Sequence, residues 1–327
     1  GSMGQAHAAG WEQTDAEVVG VLANEAASAT ALAERLGGRP YSNFDALLGD
    51  VDVIDICAPT HLHREMTEKA AATGKHIFCE KPIALTVADG EAMIAACEAA
   101  GVRLFVGMVL HFFPEYIAMK DVIAAGQIGA PKVIRMTRAS YRPQKAADNW
   151  FMDEAKSGGM MIDLMIHDFE MARWLAGGEV QRVYAKSVRG ENPEADIDHA
   201  LAILRFDNGA MAHIEGSWAY PYPMFSVRAE VAGENSLIEW DSEKSAPIAI
   251  HTHRRGDDAA GDVALPLSPL SQDPWASEVV HFYEAIINDT PFRVTAQDAL
   301  RGLQIALAAK ASVQTGQPIT LSTQEGE

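Results

Sequence analysis

Along the first hundred residues, short β-branched runs alternate with alanine-rich amphipathic stretches. Val18 to Leu22 reads as a strand, Ala27 to Leu36 as a helix stopped by Gly37-Gly38, and Val51 to Cys57 as a buried strand. The same order repeats. His61 to Thr73 reads as a helix ended by Gly74, His76 to Cys79 as a strand, Thr86 to Ala100 as a helix ended by Gly101, and Val102 to Val106 as a strand. Such strand–helix–strand units predict a Rossmann-type, doubly wound parallel sheet with helices on both faces. After about residue 125 the pattern changes. Val133 to Thr137, Val180 to Val188, His199 to Phe206, Ala210 to Trp218, Val227 to Val231 and Leu237 to Trp240 read as strands with few helices between them. They predict an α+β half with an open, mainly antiparallel sheet. Asp207-Asn208-Gly209 is a hairpin signal, because Asn-Gly tolerates positive φ. Helices are expected near 157 to 176, 275 to 288 and 296 to 314. The Gly-, Asp-, Ser- and Pro-rich stretch from Arg254 to Pro274 reads as a surface loop.

At 327 residues the chain exceeds the size at which one hydrophobic core stops growing. Two domains are expected, 1–122 and 123–327, with the C-terminal helix packing back on the first. The formal charge of -19 repels phosphate backbones and anionic membranes, which argues against nucleic acid or a lipid surface and leaves a small neutral substrate. Cys57, Cys79 and Cys97 form no CxxC pair, so a reducing cytoplasm is the simple reading. No apolar run approaches a membrane span, and no signal sequence opens the chain.

Chemistry enters at the strand ends. Gly1-Ser2-Met3-Gly4 matches the tail of a Gly-x-Gly-x-x-Gly phosphate loop opening the first helix, and equally matches a cloning remnant. The preceding strand and first glycine are absent, which predicts that the natural chain begins upstream. Ala23 stands where an acid usually holds the adenosine ribose; Asn24 or Glu25 either replaces it or caps the next helix. No Arg or Lys stands beside them for a 2′-phosphate, which favours NAD over NADP. Pro59, Thr60, His61 and His63 follow a core strand and are expected on the nicotinamide side of a cleft. Lys81 follows another, with Pro82 fixing the turn; alone, it reads as a solvated lysine. Asp163 and His167 are four apart on a helical stretch and share one face, which suits proton transfer and also describes an ordinary surface pair. His61-x-His63 and His251-x-His253 lack further ligands, so no metal is expected, and the second pair is expected on an exposed strand face. Tyr116, Arg138, Tyr141, Trp150 and Asp168 are candidates for pocket contacts; Phe112, Phe113, Trp174 and Trp218 are assigned to packing.

With Glu80-Lys81-Pro82 after a strand, and Gly158-Gly159-Met160-Met161-Ile162-Asp163-Leu164-Met165-Ile166-His167-Asp168, the chain resembles the glucose-fructose oxidoreductase and inositol dehydrogenase family (Gfo/Idh/MocA). Ala58 to His63, Phe112-Phe113-Pro114 and Ala309 to Gly316 extend the resemblance over nearly the whole length. It implies an NAD- or NADP-dependent dehydrogenase, with Lys81, Asp163 and His167 as catalytic residues. The cofactor would be held by Gly1, Ser2, Met3, Gly4, Asn24, Glu25, Ala58, Pro59, Thr60, His63, Glu80 and Lys81. A polyol or sugar of inositol type would meet His111, Tyr141, Trp150, Asp163 and His167. The family's Lys-Pro bond is often cis, and its open sheet often builds homodimers or homotetramers. Ala23 and the missing first strand depart from the pattern, as does His111, where many members have arginine. Two alternatives remain open: a dehydrogenase of another sugar derivative, and a catalytically silent nucleotide or sugar sensor.

Overall fold

A computed structural model describes residues 1–143, 149–188, 199–244, 248–252, 263–264 and 273–322, the backbone alone at 248–252 and 263–264. The chain opens with α1 (Ser2–Trp11), β1 (Gly20–Leu22), α2 (Ala26–Leu36), β2 (Arg39–Tyr41), α3 (Phe44–Asp50) and β3 (Val53–Ile56). There follow α4 (His63–Ala72), β4 (His76–Glu80), α5 (Val87–Ala100) and β5 (Leu104–Gly107). The expected stops are present: Gly37 and Gly101 end α2 and α5 in the left-handed region, and the Thr86 hydroxyl caps α5 by accepting from the Asp89 amide. β2 and α3 were not expected from the pattern. β2 is a three-residue edge strand containing Pro40, too short to alternate. The signal for α3 was Asn43, whose side chain accepts from Ala46 N.

The remaining elements are α6 (Pro114–Ala124), β6 (Pro131–Ser140), α7 (Glu154–Ser157), α8 (Met160–Asp163), α9 (Ile166–Ala176), β7 (Val180–Val188), β8 (His199–Phe206) and β9 (Met211–Ser217). Then come β10 (Phe225–Gly233), β11 (Ser236–Asp241), β12 (Ile248–Thr252), β13 (Val263–Ala264), α10 (Pro274–Ile287), α11 (Ala296–Thr315) and β14 (Ile319–Thr320). Two expectations change here. The helix expected near 157 to 176 is three pieces: Gly158 and Gly159, with φ of 85° and 75° that no α-helix admits, part α7 from α8, and Leu164-Met165 separate α8 from α9. Inside the stretch read as a loop, β13 pairs with β12, and Pro274 already belongs to α10; the rest of that stretch, and His253, lie outside the described residues.

By contacts the chain divides into two compact units, Gly1–Phe112 with Leu270–Leu300, and Phe113–Pro269 with Arg301–Glu327. The first break falls ahead of α6. In the first unit β3, β4 and β5 form a parallel sheet, and β1 and β2 a separate parallel pair. Helix α10 joins this unit against α1, where a Cβ on Gly10 would come within 2.5 Å of Val279 Cβ. Its Phe282 sits among Phe78, Phe105 and Phe292, with ring centroids 5.3 to 5.8 Å away. In the second unit nine strands run β13-β12-β11-β10-β6-β9-β8-β7-β14. The sheet is mixed: β6 and β9 pair in parallel, all other neighbours antiparallel. The β8–β9 hairpin turns on Gly209 (φ 83°) alone. One face, including Ala202, Ile214, Met136 and Ala229, is buried, and β6 and β9 meet α9.

Candidate active site

In the first unit, parallel pairing puts the carboxyl ends of β3 and β4 on one edge, where open α/β sheets receive ligands. Ala58, Pro59 and Thr60 continue β3, with Ala58 and Pro59 half-buried and Thr60 buried. Lys81 leaves β4 half-buried, and the Lys81-Pro82 bond is cis. His63 turns inward instead of toward a cleft. It is 1% exposed, with ring nitrogens 2.9 Å from Pro82 O and 3.0 Å from Ala58 O, so it ties the two strand ends together. Thr60 does not cap α4, whose N-cap is Leu62.

Helix α1 begins at Ser2 with Gly1 as its cap, no side chain satisfies its first amides, and a Cβ on Gly1 would meet nothing within 4 Å. That open end, with its bare N–H groups, fits a dinucleotide's pyrophosphate, and Met3 and Gly4 complete the first turn. Beyond β1, Asn24 and Glu25 are exposed, and Glu25 makes no side-chain cap to α2, so both remain suited to ribose hydroxyls.

Beneath these strand ends lies a cluster that the pattern did not reveal. His7, on α1, is 1% exposed. Its Nδ1 is 3.0 and 2.9 Å from the two Asp55 oxygens, and its Nε2 is 3.0 Å from Glu80 Oε1. Both ring nitrogens thus face carboxyl oxygens, an arrangement that suits an imidazolium donating from each. Burial opposes this charge, but Asp55 and Cys57 outweigh it and hold His7 well above the ordinary histidine pKa. Burial likewise works against the Asp55 carboxylate, and His7 and the Trp11 indole override it to keep the pKa low. The Cys57 thiol, pushed up to about 12 by burial, stays protonated. Donor atoms of His7, Asp55 and Cys57 lie within 4.8 Å of one another, close enough for a metal, but the Nδ1 that a metal would need is already donating to Asp55. Glu80, expected at the cofactor, is 5% exposed and turned into this cluster. The available signal was a pair of acids, Asp55 and Glu80, inside apolar strands, where an ion needs a partner.

In the second unit, every residue from Met160 to Ala172 is buried except Asp163 and His167. The chain stays right-handed between them: Leu164 and Met165 hold αR angles, and the Leu164 and Met165 amides both donate to Met160 O. The four-residue spacing therefore survives the break between α8 and α9. Gly216 on β9 makes room for the turn, since a Cβ there would come within 2.3 Å of Met165 Cγ. Tyr116, Arg138 and Asp168, considered for pocket contacts, are internal. Arg138 Nε and Nη2 donate to the Asp168 oxygens at 2.8 and 3.0 Å, and Tyr116 Oη is 3.4 Å from Nη2. Burial works against the guanidinium, and Asp168 outweighs it to keep Arg138 charged.

The remaining expected substrate residues belong to both units. His111, in the first unit, is 1% exposed, and its carbonyl accepts from Arg293. Tyr141 and Trp150, in the second, are half-buried, Tyr141 edge-on to Tyr222 at 4.9 Å. A depression of about 520 Å³ in the second unit is lined by Arg142, Phe151, Gly158, Trp218 and Lys310, among others.

Comparisons with known proteins bear on both units. The description "Oxidoreductase family, NAD-binding Rossmann fold" matches residues 1–108, and "GFO/IDH/MocA C-terminal domain" matches residues 116–239. The chain is 31% identical over 296 residues to the myo-inositol 2-dehydrogenase of Thermotoga maritima, covering 88% of this chain and 86% of the relative. It is 32% identical over 275 residues to the scyllo-inositol 2-dehydrogenase (NAD(+)) of Bacillus subtilis, covering 83% and 78%. The aldose-aldose oxidoreductase of Caulobacter crescentus, solved with glycerol, superposes with a TM-score of 0.82 at 25% identity, covering 95% and 94% of the two chains.

Proposed function

The chain belongs to the GFO/IDH/MocA family of NAD-binding oxidoreductases, and from that premise we propose that it oxidises a secondary hydroxyl of an inositol-type cyclic polyol to the ketone. A bound nicotinamide would supply the hydride acceptor for the carbon bearing that hydroxyl. His167 accepts the hydroxyl proton on its imidazole, as a positioned histidine can when it serves as general base. Asp163, one turn earlier, orients the ring and stabilises its charged form. The Lys81 ammonium donates to the substrate oxygen as negative charge develops there. Ser2 to Gly4 hold the pyrophosphate and Asn24 or Glu25 the ribose; Ala58, Pro59 and Thr60 flank the nicotinamide. His111, Tyr141 and Trp150 stay candidates for substrate contact.

The observation that carries this reading is the burial pattern of 160–172, where only the acid and the imidazole emerge from an otherwise enclosed stretch. A solvated helix face would expose its whole polar stripe, whereas here only the two residues that proton transfer requires are half-buried and all the others are buried. The test is NADH formation at 340 nm with a panel of inositols and aldoses. Turnover is expected with at least one inositol, and Lys81→Ala and His167→Ala are each expected to lower kcat by about 10² to 10⁴. Normal turnover in both variants removes the reading. Turnover only with aldoses would select the sugar dehydrogenase, in line with the aldose-aldose oxidoreductase likeness. Cofactor binding without turnover on any substrate would select the sensor.

We further propose a homo-oligomer assembled through the outer face of the nine-stranded sheet. Leu201, Ile203 and Met211 are 38%, 49% and 47% exposed there; Leu201 and Ile203 follow one another on the outer face of β8, and Met211 lies diagonally from Ile203 on β9, opposite Arg205. Contiguous exposed apolar side chains mark association surfaces. The cytoplasm is our proposed compartment, supported by three free cysteines. No described helix is long and apolar enough to cross a membrane.

A further inference from the structure

We infer that His7 is a positioning residue for Lys81, acting through the carboxylate of Glu80. The inference rests on the proposed role of Lys81. Glu80 spans two partners: Oε1 receives His7 Nε2 at 3.0 Å, and Oε2 receives the Lys81 backbone amide at 2.9 Å. A carboxylate held at both oxygens cannot rotate without breaking one charge-assisted bond, so the Lys81 amide is pinned to a group on α1. The far end is pinned too. His7 Nδ1 is gripped by Asp55, whose Oδ2 accepts from Trp11 Nε1 at 2.8 Å, so the relay runs Trp11, Asp55, His7, Glu80, Lys81. Every member lies in the first unit, and its middle is buried, with His7 at 1% and Glu80 at 5% exposure.

From the other side His63 closes on the Pro82 carbonyl at 2.9 Å. The two bonds bracket Lys81, one on its own amide and one on the following residue. A Lys side chain carries four rotatable bonds, so what these two bonds hold is the backbone, the root from which the ammonium reaches its ligands. The groups facing His7 are Asp55, Cys57, Glu80 and Glu278; two of them, Asp55 and Glu80, hydrogen-bond its ring, and burial keeps Glu278 and Cys57 protonated. A neutral ring would leave one carboxylate facing a bare nitrogen lone pair, and the relay would open at either Asp55 or Glu80. The imidazolium is thus the form that joins α1 to the strand end.

The experiment is a double-mutant cycle on the full chain with NAD and the best polyol, read by single-turnover NADH formation. His7→Gln is expected to slow hydride transfer by about 10²-fold in the otherwise native chain and by less than about twofold in the Lys81→Ala background, because a displaced root matters only when the ammonium is present. Equal slowing in both backgrounds overturns the inference. If Lys81→Ala alone turns over normally, the proposed role of Lys81 fails instead, and the two failures are thereby separate. Where His7→Gln does not fold, Glu80→Gln takes its place in the same cycle with the same expected pattern. A readout independent of activity is the nitrogen-15 spectrum of His7 at pH 8. Two ring N–H signals are expected, with one lost in Glu80→Gln. A single N–H in the native protein overturns the inference.

Discussion

At the scale of single residues, two positions set conditions that their type alone would not announce. Glu278 on α10 is fully buried, and neither carboxyl oxygen has a hydrogen-bond partner among the described residues. Burial first, and Glu80 second, raise its pKa well above the ordinary value of 4.5, so it folds as the neutral acid. A group whose folded pKa is raised contributes its stability below the unfolded pKa and loses it as pH rises toward the folded one. Glu278→Gln is therefore expected to match the parent in melting temperature near pH 4.5 and to exceed it at pH 8, the gap widening by about 1.4 kcal/mol per pH unit between the two pKa values. A melting series that shows the variant less stable at pH 8 would contradict this. At Gly216 the constraint is steric. Gly216→Ala places a methyl against Met165 Cγ, and because Met165 is fully buried, the turn between Asp163 and His167 must move. About 1–3 kcal/mol of overpacking is expected, together with a fall in kcat. Unchanged kcat at reduced stability would separate that turn from catalysis.

At the scale of elements, the Arg138 fork joins β6 to the first turn of α9 and fixes the residue next to His167. Both partners are almost fully enclosed, at 6% and 0% side-chain exposure, so removing one strands the other. Arg138→Ala is expected to cost about 3–5 kcal/mol in urea unfolding, whereas Arg138→Met with Asp168→Leu should come within about 1 kcal/mol of the parent. A double variant as unstable as the single would mean that the fork itself, and not the stranded carboxylate, carries the energy. The same element shows how far pattern reading reaches. Residues 157 to 176 look like one helix because their apolar content is continuous; the break between α7 and α8 is made by two glycines whose positive φ is chosen by the packing of Ile162 and Glu154 around them. β8 was legible because its alternation is regular, as in His199-Ala200-Leu201-Ala202-Ile203, whereas β7 is interrupted by a register shift between Val180 and Arg182.

At the scale of the whole molecule, a formal charge of -19 opposes close approach of copies, so association through the outer sheet face needs apolar contact to prevail. Ile203→Glu with Leu201→Lys is expected to lower the mass measured by light scattering to that of a single chain while the secondary structure is kept. An unchanged mass would place the interface elsewhere or show that the parent is already a monomer. Added salt should strengthen association in the parent by screening the net charge.

What the sequence by itself determined was the local grammar and the chemistry on offer: where strands and helices run, the stops at Gly37 and Gly101, the Lys81-Pro82 turn, and the acid and imidazole four residues apart. These are properties of short stretches, set by periodicity and by residues with restricted backbones. Only the tertiary structure decided the rest. The parallel β6–β9 pairing, the Gly216 gap, the inward turn of His63 and Glu80, and the charged state of His7 each depend on residues that are distant in sequence, such as Val133 and Met211 or His7 and Glu80. A histidine reads the same on an exposed helix as on a buried one, and its proton is decided by the two carboxylates that folding brings to its ring.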